Sequence, residues 1–577
     1  MDVPPQVWGL AAFPHLLFHG HNPFFSMALN FPYGGNLAST AFSPLLALLA
    51  SPITLTAGPV AAYNSMAILG FFLSASAMFY VLRKCVDSVI AAFVGGLLYA
   101  FGPYMIAQGY DHLVLTFVPL PPLILAVVYD LVVRRRWNAR RCGLMLGLLS
   151  AAQFLISAEV FADVAVLALI GTVVFALGNR RPFAEHWRRV AVGLGWALVP
   201  FFILAGYVIW YMSFGPQHVI RNPQPFEIAS FRNDLLGPFV PTNVERLGLQ
   251  SWKNFGARFA GGDFVENGIY LGVPLVCAAL ATIWFARRRD IVRLAGILAL
   301  CAFILSLGSP LMIGGTNTGI PLPFALFPHL PFLQNESASR YALLVDLFVA
   351  ILLASGIDHY LGVHKKNHLD GIESSATRKW WGATPVSLTI GLLVILGPLI
   401  PNVPYPTTSA GIPAYFTDGS ANLIPSGSVV LSYPYPFWPY AQPDIWSADT
   451  GLRFSLFGGF PSSPQNLTAG VGLATPPLLE PHMMQELFAW ASYGSASDVY
   501  GASVANFVLP PPNAATLSDL RVFCLIYGVN DIVIDPTVGN ATTVQGYLTD
   551  ALDVAPTYTD GVDIFYNVQN DLAKAGV

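Results

Sequence analysis

The sequence predicts a polytopic α-helical membrane protein with a folded α/β domain at its C-terminal end. Three observations predict this fold class. The 577 residues are 54% hydrophobic and 10% charged, whereas soluble proteins carry about 25% charged residues. Mostly apolar runs of about membrane-spanning length recur between residues 59 and 400. After Pro401 the hydropathy drops, and short β-rich runs replace the long apolar ones.

Composition and charge argue against several other classes. The net charge of −4 is spread thinly, and positive residues cluster in short loops rather than in a patch for nucleic acid. The five cysteines show neither CxxC nor Cys/His spacing, which argues against a disulfide framework and a zinc site. His19 and His21 form an HxH pair without a matching carboxylate pattern, so we interpret them as interfacial residues. We expect a lipid bilayer as a partner, no nucleic acid and no metal site.

The run from Pro59 to Arg83 orients the predicted spans. It is long enough to cross a bilayer and ends at the first basic residue of the chain. Because positive residues favour the cytoplasmic side, this span starts outside and ends inside. Residues 1–57 are then an outer loop. Within it, the apolar stretch from Thr40 to Leu55 is too short to span and is expected to lie as an interfacial helix.

Nine further apolar runs predict a transmembrane domain at residues 58–400 with about ten spans in all. Basic clusters fall after every second span, so a topology with every cluster inside alternates without conflict. The outer loops are then long, and the working surface is expected outside. The runs are Ser88 to Tyr104, Val114 to Val133, Cys142 to Ser157, Val160 to Leu177, Trp187 to Phe214, Ile269 to Phe285, Ile291 to Leu307, Tyr341 to Leu361 and Ala383 to Ile400.

Residues 401–577 are predicted to form an extracytoplasmic soluble domain of mixed α/β structure. The segment from Asp519 to Asp535 indicates a helix that ends near Gly528 and leads into a buried strand. We find no GxGxxG, P-loop or GxSxG motif in this domain. Short β-rich runs flanked by Gly, Pro and Asp occur at Gly427 to Tyr433, Asn530 to Asp535 and Asp560 to Val568.

Charged residues retained near hydrocarbon are the candidates for chemistry, because their burial there is costly. Glu159 lies in a tight turn between two spans, and Asp163 follows one helical turn later. By the predicted topology, the outer-side candidates other than Asp163 lie at or near one interface, where they would line one cavity. These candidates are Asp2, Asp111, His112, Glu159, Glu266 and Arg340.

Several candidates also have a purely structural interpretation. Asp2 would be a frayed chain end. Asp111 and His112 would cap a helix that starts at Val114, for which Asp is a common N-cap residue. Arg340 would extend to lipid headgroups, and Glu159 would be stabilised at a helix N-terminus. The residues alone leave these alternatives open.

Five short segments occur in order along roughly the first 400 residues: DVPPQVWGLAAFPHLLFHGHNPFFSMALNFPYGGNL, GPVAAYN, GGLLYAFGPYMIAQGYDHL, SAEVF and ENGIYLG. Together they resemble the GT-C superfamily of membrane glycosyltransferases, near its YfhO-like and protein-mannosyltransferase-like branches. The tail with GSVVLSYPYP and IYGVNDIVID is similar to the extracytoplasmic domain that often follows in such chains.

The resemblance implies sugar transfer from a polyprenyl-phosphate carrier to a glycan, lipid or protein acceptor at the outer face of the plasma membrane. It implies inversion at the sugar and no cofactor. An acidic residue of the first outer loop is the general base in such folds, and the match here is Asp2. Arginines would hold the departing phosphate, and other polar residues would orient the substrates. The arginines are Arg340, or Arg221 and Arg232; the other substrate-binding residues are Asp111, His112, Glu159 and Glu266.

The chain departs from this family at its start, where the usual first transmembrane span is not seen and Asp2 follows Met1. We expect either a start further upstream or an N-terminus outside. Two other functions stay open. One is a transporter or flippase of lipid-linked or envelope precursors, for which Asp130, Asp163 and Asp346 lie within or near spans. The other is a non-catalytic scaffold whose outer domain binds a partner.

Overall fold

The chain divides into two compact units. The helical unit contains residues 67–205 and 223–407, and the sheet unit contains residues 1–66, 206–222 and 408–577. The sheet unit thus contains residues 408–577 of the range 401–577 that the sequence predicts for the α/β domain, together with residues 1–66 and 206–222. The computed structural model describes residues 3–39, 42–178, 180–216, 231–334, 336–369, 384–436, 441–459 and 512–574.

Seven helices within the described ranges are long and apolar enough to cross a membrane. They make the chain a multi-pass membrane protein, and the total of about ten spans stays a prediction. Three predicted runs form the shorter helices Val273–Phe285, Asp290–Ser306 and Thr384–Leu396. The candidate spans are Pro59–Leu82, Val89–Gln108, Leu113–Arg134, Ala139–Ile156, Ala158–Gly178, Trp187–Phe214 and Ala338–Gly362.

The helix Ala342–Leu369, called the central helix below, is the core of the helical unit. In its candidate span, 89% of the most apolar window is buried, against 22% for Ala158–Gly178. It packs against Val89–Phe101, Val273–Phe285 and Asp290–Ser306. Small residues allow close approach, since a Cβ on Gly95 would lie 3.0 Å from the carbonyl oxygen of Ala350. The surrounding helices are therefore the ones that face lipid.

A break in one span brings a carboxylate of the central helix against backbone amides. Helix Val89–Phe101 ends at Gly102, whose backbone is extended, and helix Pro103–Gln108 follows it. The buried Asp346 lies beside the backbone amide of Tyr104 in the first turn of the second helix. The buried Asp346 therefore lies at the point where this span is interrupted.

Replacing Gly102 with alanine should lower the thermal stability. A Cβ there would lie 2.6 Å from Asp346 Oδ2 and 2.7 Å from the Leu98 carbonyl oxygen. Such overpacking costs about 1–3 kcal/mol, and we expect a Tm several degrees lower for the protein purified in detergent. Gly195→Ala is the matched control, because nothing lies within 4 Å of the added Cβ. Equal Tm values for the two variants would contradict this account.

The sheet unit contains a five-stranded mixed sheet covered on both faces. The first three strands in sheet order pair in parallel, and each of the last two pairs antiparallel with the strand before it in that order. On one face Leu431 and Ile532 pack with Phe523, and on the other Val430 packs with Trp8. In sheet order the strands are Ser455–Leu456, Val429–Tyr433, Val529–Ile534, Val562–Phe565 and Thr557–Thr559.

Further short elements complete the described chain. The sheet unit contains the helices Val3–Phe18, Pro44–Ala57, Ala414–Thr417, Gln442–Asp449, Ala514–Ile526, Ala541–Leu552 and Val568–Lys574. The helical unit also contains the helices Leu113–Thr116, Leu120–Tyr129 and Gln250–Gly256 and a π-helical turn at Asp130–Arg134. Two-stranded hairpins pair Phe25–Ser26 with Gly35–Asn36 and Met312–Ile313 with Thr316–Asn317.

Candidate functional site

Three of the predicted site residues meet at the start of the central helix. Arg340 lies in the 3-10 turn Ala338–Tyr341, and Glu159 lies in the first turn of helix Ala158–Gly178. The Nη1 of Arg340 donates a hydrogen bond to Glu159, and its Nη2 donates to Glu266 Oε1 at 3.2 Å. The side chain of Glu266 is only 2% exposed. The charge of Glu266 is therefore balanced mainly within the protein.

Glu266 is also held by neutral side chains. Ser339 Oγ donates to Glu266 Oε2 at 2.7 Å, and Gln108 Nε2 donates to the same oxygen at 3.3 Å. The other end of the Gln108 amide lies 2.6 Å from His112 Nδ1. Burial acts to raise the pKa of Glu266, but the charges of Arg340 and His112 outweigh it, and the pKa lies below its ordinary value. Glu266 is therefore ionised at neutral pH.

Asp111 and His112 lie beside this network. His112 occupies the N-cap position of helix Leu113–Thr116 without a side-chain capping bond, so Asp111 is not the N-cap of this helix. A further carboxyl, Asp263, lies within electrostatic reach of both residues. Burial is the main reason why the pKa of Asp263 is raised. The network thus continues into a region with two more carboxyls and an imidazole.

A second group of buried polar side chains adjoins the Arg340 ion pairs. Asp163, one turn after Glu159, is 1% exposed, and Glu336 is 5% exposed. Burial raises the pKa of Glu336 well above its ordinary value, and the negative charges of Asp163 and Glu159 add to this effect. Tyr341 is also fully buried here. Sequence reasoning missed Glu336, although an acidic residue four positions before Arg340 in a predicted outer loop was a usable signal.

The raised pKa of Glu336 predicts a pH-dependent stability. The folded protein holds a proton that the unfolded chain releases, so the stabilisation is complete below about pH 4.3, the ordinary pKa of glutamate, and is lost as the pH rises towards the raised value. Glu336→Gln is neutral at every pH. Its Tm should therefore exceed that of the wild type by more at pH 8 than at pH 5. A difference in Tm that does not change with pH would show that Glu336 does not titrate in this way.

Arg232 lies near the same turn but has a different environment. The next residue, Asn233, donates from Nδ2 to the carbonyl of Ser339 at 3.1 Å. Arg232 Nη1 donates to the carbonyl of Ser309 at 3.1 Å. Among the described residues, no carboxylate lies within ion-pair distance of Arg232. Burial lowers its pKa, but arginine stays charged at neutral pH. Arg232 is thus a half-buried cation without an acidic partner in the described chain, in contrast to Arg340.

Two predicted site residues, Asp2 and Arg221, lie outside the residues that the structure describes. Their roles stay predictions.

In the sheet unit, the rings of His15 and His19 stack with centroids 4.3 Å apart. Within the described ranges, no group of three His, Cys, Asp or Glu side chains is placed to hold a metal ion.

The network around Arg340 and the basic loops occupy opposite ends of the helical unit. Asp358 lies about five turns, or about 27 Å, further along the chain from Arg340. It pairs with Arg289 at 3.2 Å and accepts the backbone N–H of Ser88 at 2.9 Å. The separation matches the hydrocarbon thickness of about 30 Å. Because basic loops favour the cytoplasm, the Arg340 network is predicted at the outer side.

Residues 2–354 match the family model described as "Domain of unknown function (DUF6311)". This match covers more than half of the chain. No curated protein sequence matches the chain.

Three solved structures are similar to the chain. Arabinofuranosyltransferase AftD from mycobacteria has a TM-score of 0.56 and 14% identity, over 98% of this chain and 40% of AftD. This chain therefore spans less than half the length of AftD. The likeness shows that this chain and AftD share a fold. ArnT from Cupriavidus metallidurans, bound to undecaprenyl phosphate, has a TM-score of 0.40, 12% identity and coverage of 98% and 94%. AglB from Archaeoglobus fulgidus, bound to a peptide and dolichol-phosphate, has a TM-score of 0.39, 11% identity and coverage of 92% and 65%.

Proposed function

We propose that this chain, which belongs to the DUF6311 family, is a plasma-membrane glycosyltransferase that uses a polyprenyl-phosphate-linked sugar and acts at the outer face of the membrane. The observation that carries the proposal is the buried charged network around Arg340 at one end of a bundle of spanning helices. Charged groups near hydrocarbon are costly and are functional candidates by default. The fold shared with AftD agrees with this activity.

In the proposed reaction, an acceptor hydroxyl attacks the anomeric carbon of the donor sugar. The new C–O bond forms as the bond to the lipid phosphate breaks, and the phosphate leaves with the electron pair. A carboxylate takes the hydroxyl proton, and the resemblance assigns this base to Asp2. In-line attack gives inversion at the sugar.

We assign the phosphate to Arg232, with Arg221 as a second contact. An arginine binds a phosphate through parallel N–H groups, and a phosphate competes poorly for an arginine that already holds two carboxylates. Arg340 is such an arginine, since it contacts Glu159 and Glu266. We therefore assign Arg340 to holding the two acids in place, rather than to the phosphate contact that the sequence suggested as one possibility.

Sugar or acceptor hydroxyls are assigned to the polar side chains around this ion-pair network. Glu159 is assigned to a hydroxyl because its Oε1, a buried atom, has no hydrogen-bond partner in the described part of the chain. Asp111 and His112, which lie at the edge of the network beside Gln108, provide further contacts. Glu266 accepts hydrogen bonds from Ser339 and Arg340 and thereby positions both side chains.

The proposal is tested with the full-length protein in liposomes. A panel of radiolabelled polyprenyl-phosphate pentoses and hexoses is offered together with extracted membrane acceptors, and the release of polyprenyl phosphate is measured. We expect release from at least one donor and loss of release in Asp2→Ala. No release from any donor, with no measurable donor binding, would overturn the proposal. Unchanged turnover in Asp2→Ala would remove only Asp2 from the mechanism.

A transporter or flippase is the second candidate, because acids are buried within the candidate spans. Asp163 and Asp346 are each 1% exposed, and neither pairs with a Lys or Arg among the described residues. Buried acids of this kind occur in proton relays of transporters. Movement of a fluorescent polyprenyl-phosphate sugar between leaflets, abolished in Asp163→Asn, would favour this function over sugar transfer.

A further inference from the structure

The helical unit contains a mostly apolar cavity of about 400 Å³ away from the Arg340 network. Its wall comes from several helices, including Ala158–Gly178, Asp290–Ser306 and the central helix, which contribute Leu167, Leu298 and Leu347. The volume lies within the range of about 300–1,000 Å³ typical of small-molecule sites. An apolar lining of this kind suits a hydrocarbon chain.

The same cavity has a basic rim. Lys84, Arg134 and Arg136 line it together with Tyr80 and Trp137. Arg134 Nη2 donates to the backbone carbonyl of Lys84 at 2.8 Å, which fixes the Arg134 guanidinium at this backbone. Lys84 Nζ lies 3.9 Å from the ring centroid of Tyr80 and 5.9 Å from that of Trp137. Aromatic and basic side chains together are typical of the level of lipid headgroups.

The charges of this rim are not balanced by nearby acids in the described chain. No carboxylate of the described residues lies within ion-pair distance of Lys84, Arg134 or Arg136. The acid in the lining, Asp130, accepts the backbone N–H of Trp137 at 3.1 Å instead. The rim therefore favours an anionic group at the point where the apolar part of the cavity begins.

The depth of the cavity fits one leaflet of a bilayer. Its deepest contact on the central helix is Leu347, about three turns or about 16 Å before Asp358, which lies at the basic end. Half of a hydrocarbon core of about 30 Å is about 15 Å. A lipid tail that enters at the basic rim would thus end within the cavity.

We propose that this cavity binds an anionic phospholipid. One acyl chain occupies the apolar part, and the headgroup phosphate contacts Lys84, Arg134 and Arg136. The positive-inside rule assigns this lipid to the cytoplasmic leaflet. The site is separated from the proposed sugar-transfer residues by most of the membrane thickness, and the proposal does not rest on that activity.

The test measures lipid retention by the full-length protein with native mass spectrometry. The purified protein is titrated with palmitoyl-oleoyl phosphatidylglycerol, phosphatidylcholine with the same chains, or inorganic phosphate as a competitor. One variant, Lys84→Ala/Arg134→Ala, removes rim charge, and another, Thr172→Trp, fills the cavity. Arg287→Ala/Arg288→Ala is the control for basic residues outside the cavity, and Leu177→Trp is the control for an exposed position on the same helix as Thr172.

We expect one phosphatidylglycerol molecule to be retained, with affinity about tenfold lower in each cavity variant, a change of about 1.4 kcal/mol. The two controls should bind as the wild type does. Equal binding of phosphatidylcholine, or displacement by inorganic phosphate alone, would overturn the assignment to an anionic lipid. Wild-type retention in Thr172→Trp would also overturn it. Because the two cavity variants change different parts of the site, misfolding of one, detected by its Tm, leaves the other to decide.

Discussion

Replacing Arg340 with alanine should cause the largest loss of stability among the variants considered. The substitution leaves Glu159 and the nearly inaccessible Glu266 without their shared cation. Removing one partner of a buried ion pair costs about 3–5 kcal/mol, because a charge stays buried without compensation. We expect a clearly lower Tm in detergent, and a lower yield of folded protein.

Two further variants separate charge from packing at Arg340. Arg340→Lys keeps the charge but loses the geometry that reaches two carboxylates, so its Tm should lie between those of the wild type and Arg340→Ala. Arg340→Met combined with Glu159→Gln and Glu266→Gln removes all three charges and should recover much of the loss. If the triple variant is as unstable as Arg340→Ala, unpaired charge is not the cause.

Replacing Arg232 with alanine should cause the largest loss of activity with little change in Tm. Arg232 is assigned to the departing phosphate and has no carboxylate partner in the described chain. Removing one charge-stabilising donor from a transition state typically costs about 10²–10³-fold in kcat. The measurement is the release of polyprenyl phosphate by the full-length protein in liposomes.

Arg246→Ala is the matched control for Arg232→Ala, because Arg246 is exposed and, like Arg232, lies within residues 231–249, before helix Gln250–Gly256. It should keep wild-type turnover. Equal activity of the two variants would show that Arg232 does not contact the phosphate, and would leave the rest of the site unaffected. A parallel fall in Tm and turnover for Arg232→Ala would instead indicate a structural role.

The sequence was informative where one local pattern decides the outcome. The helix and buried strand expected between Asp519 and Asp535 are confirmed by helix Ala514–Ile526 and strand Val529–Ile534. Hydropathy identified the long spans, because an apolar run of that length is stable in few environments other than a bilayer. We selected Glu159, Glu266 and Arg340 because a charged side chain near hydrocarbon costs free energy to bury. In the structure, Arg340 contacts both glutamates.

Sequence reasoning failed where the outcome depends on packing between distant segments. Ser339 and Gln108 contact Glu266 only because three segments meet in the fold, and neither residue is unusual in its local sequence. The apolar run from Ile269 to Phe285 has nearly enough residues to span a bilayer as a helix. Its first residues are not helical, so helix Val273–Phe285 is shorter than the run. Hydropathy does not distinguish such extended residues from helical ones.

The burial of the central helix has a consequence for biogenesis. Its neighbours Val89–Phe101, Val273–Phe285 and Asp290–Ser306 all precede it in the chain, and protein synthesis delivers them first. The helix carries Asp346, and almost none of its surface faces lipid. An isolated central helix would therefore be poorly stabilised in the bilayer. We expect the central helix to pack between the earlier helices after these have inserted and assembled. The order in which the ribosome releases these segments thus matches the order in which the fold can accept them.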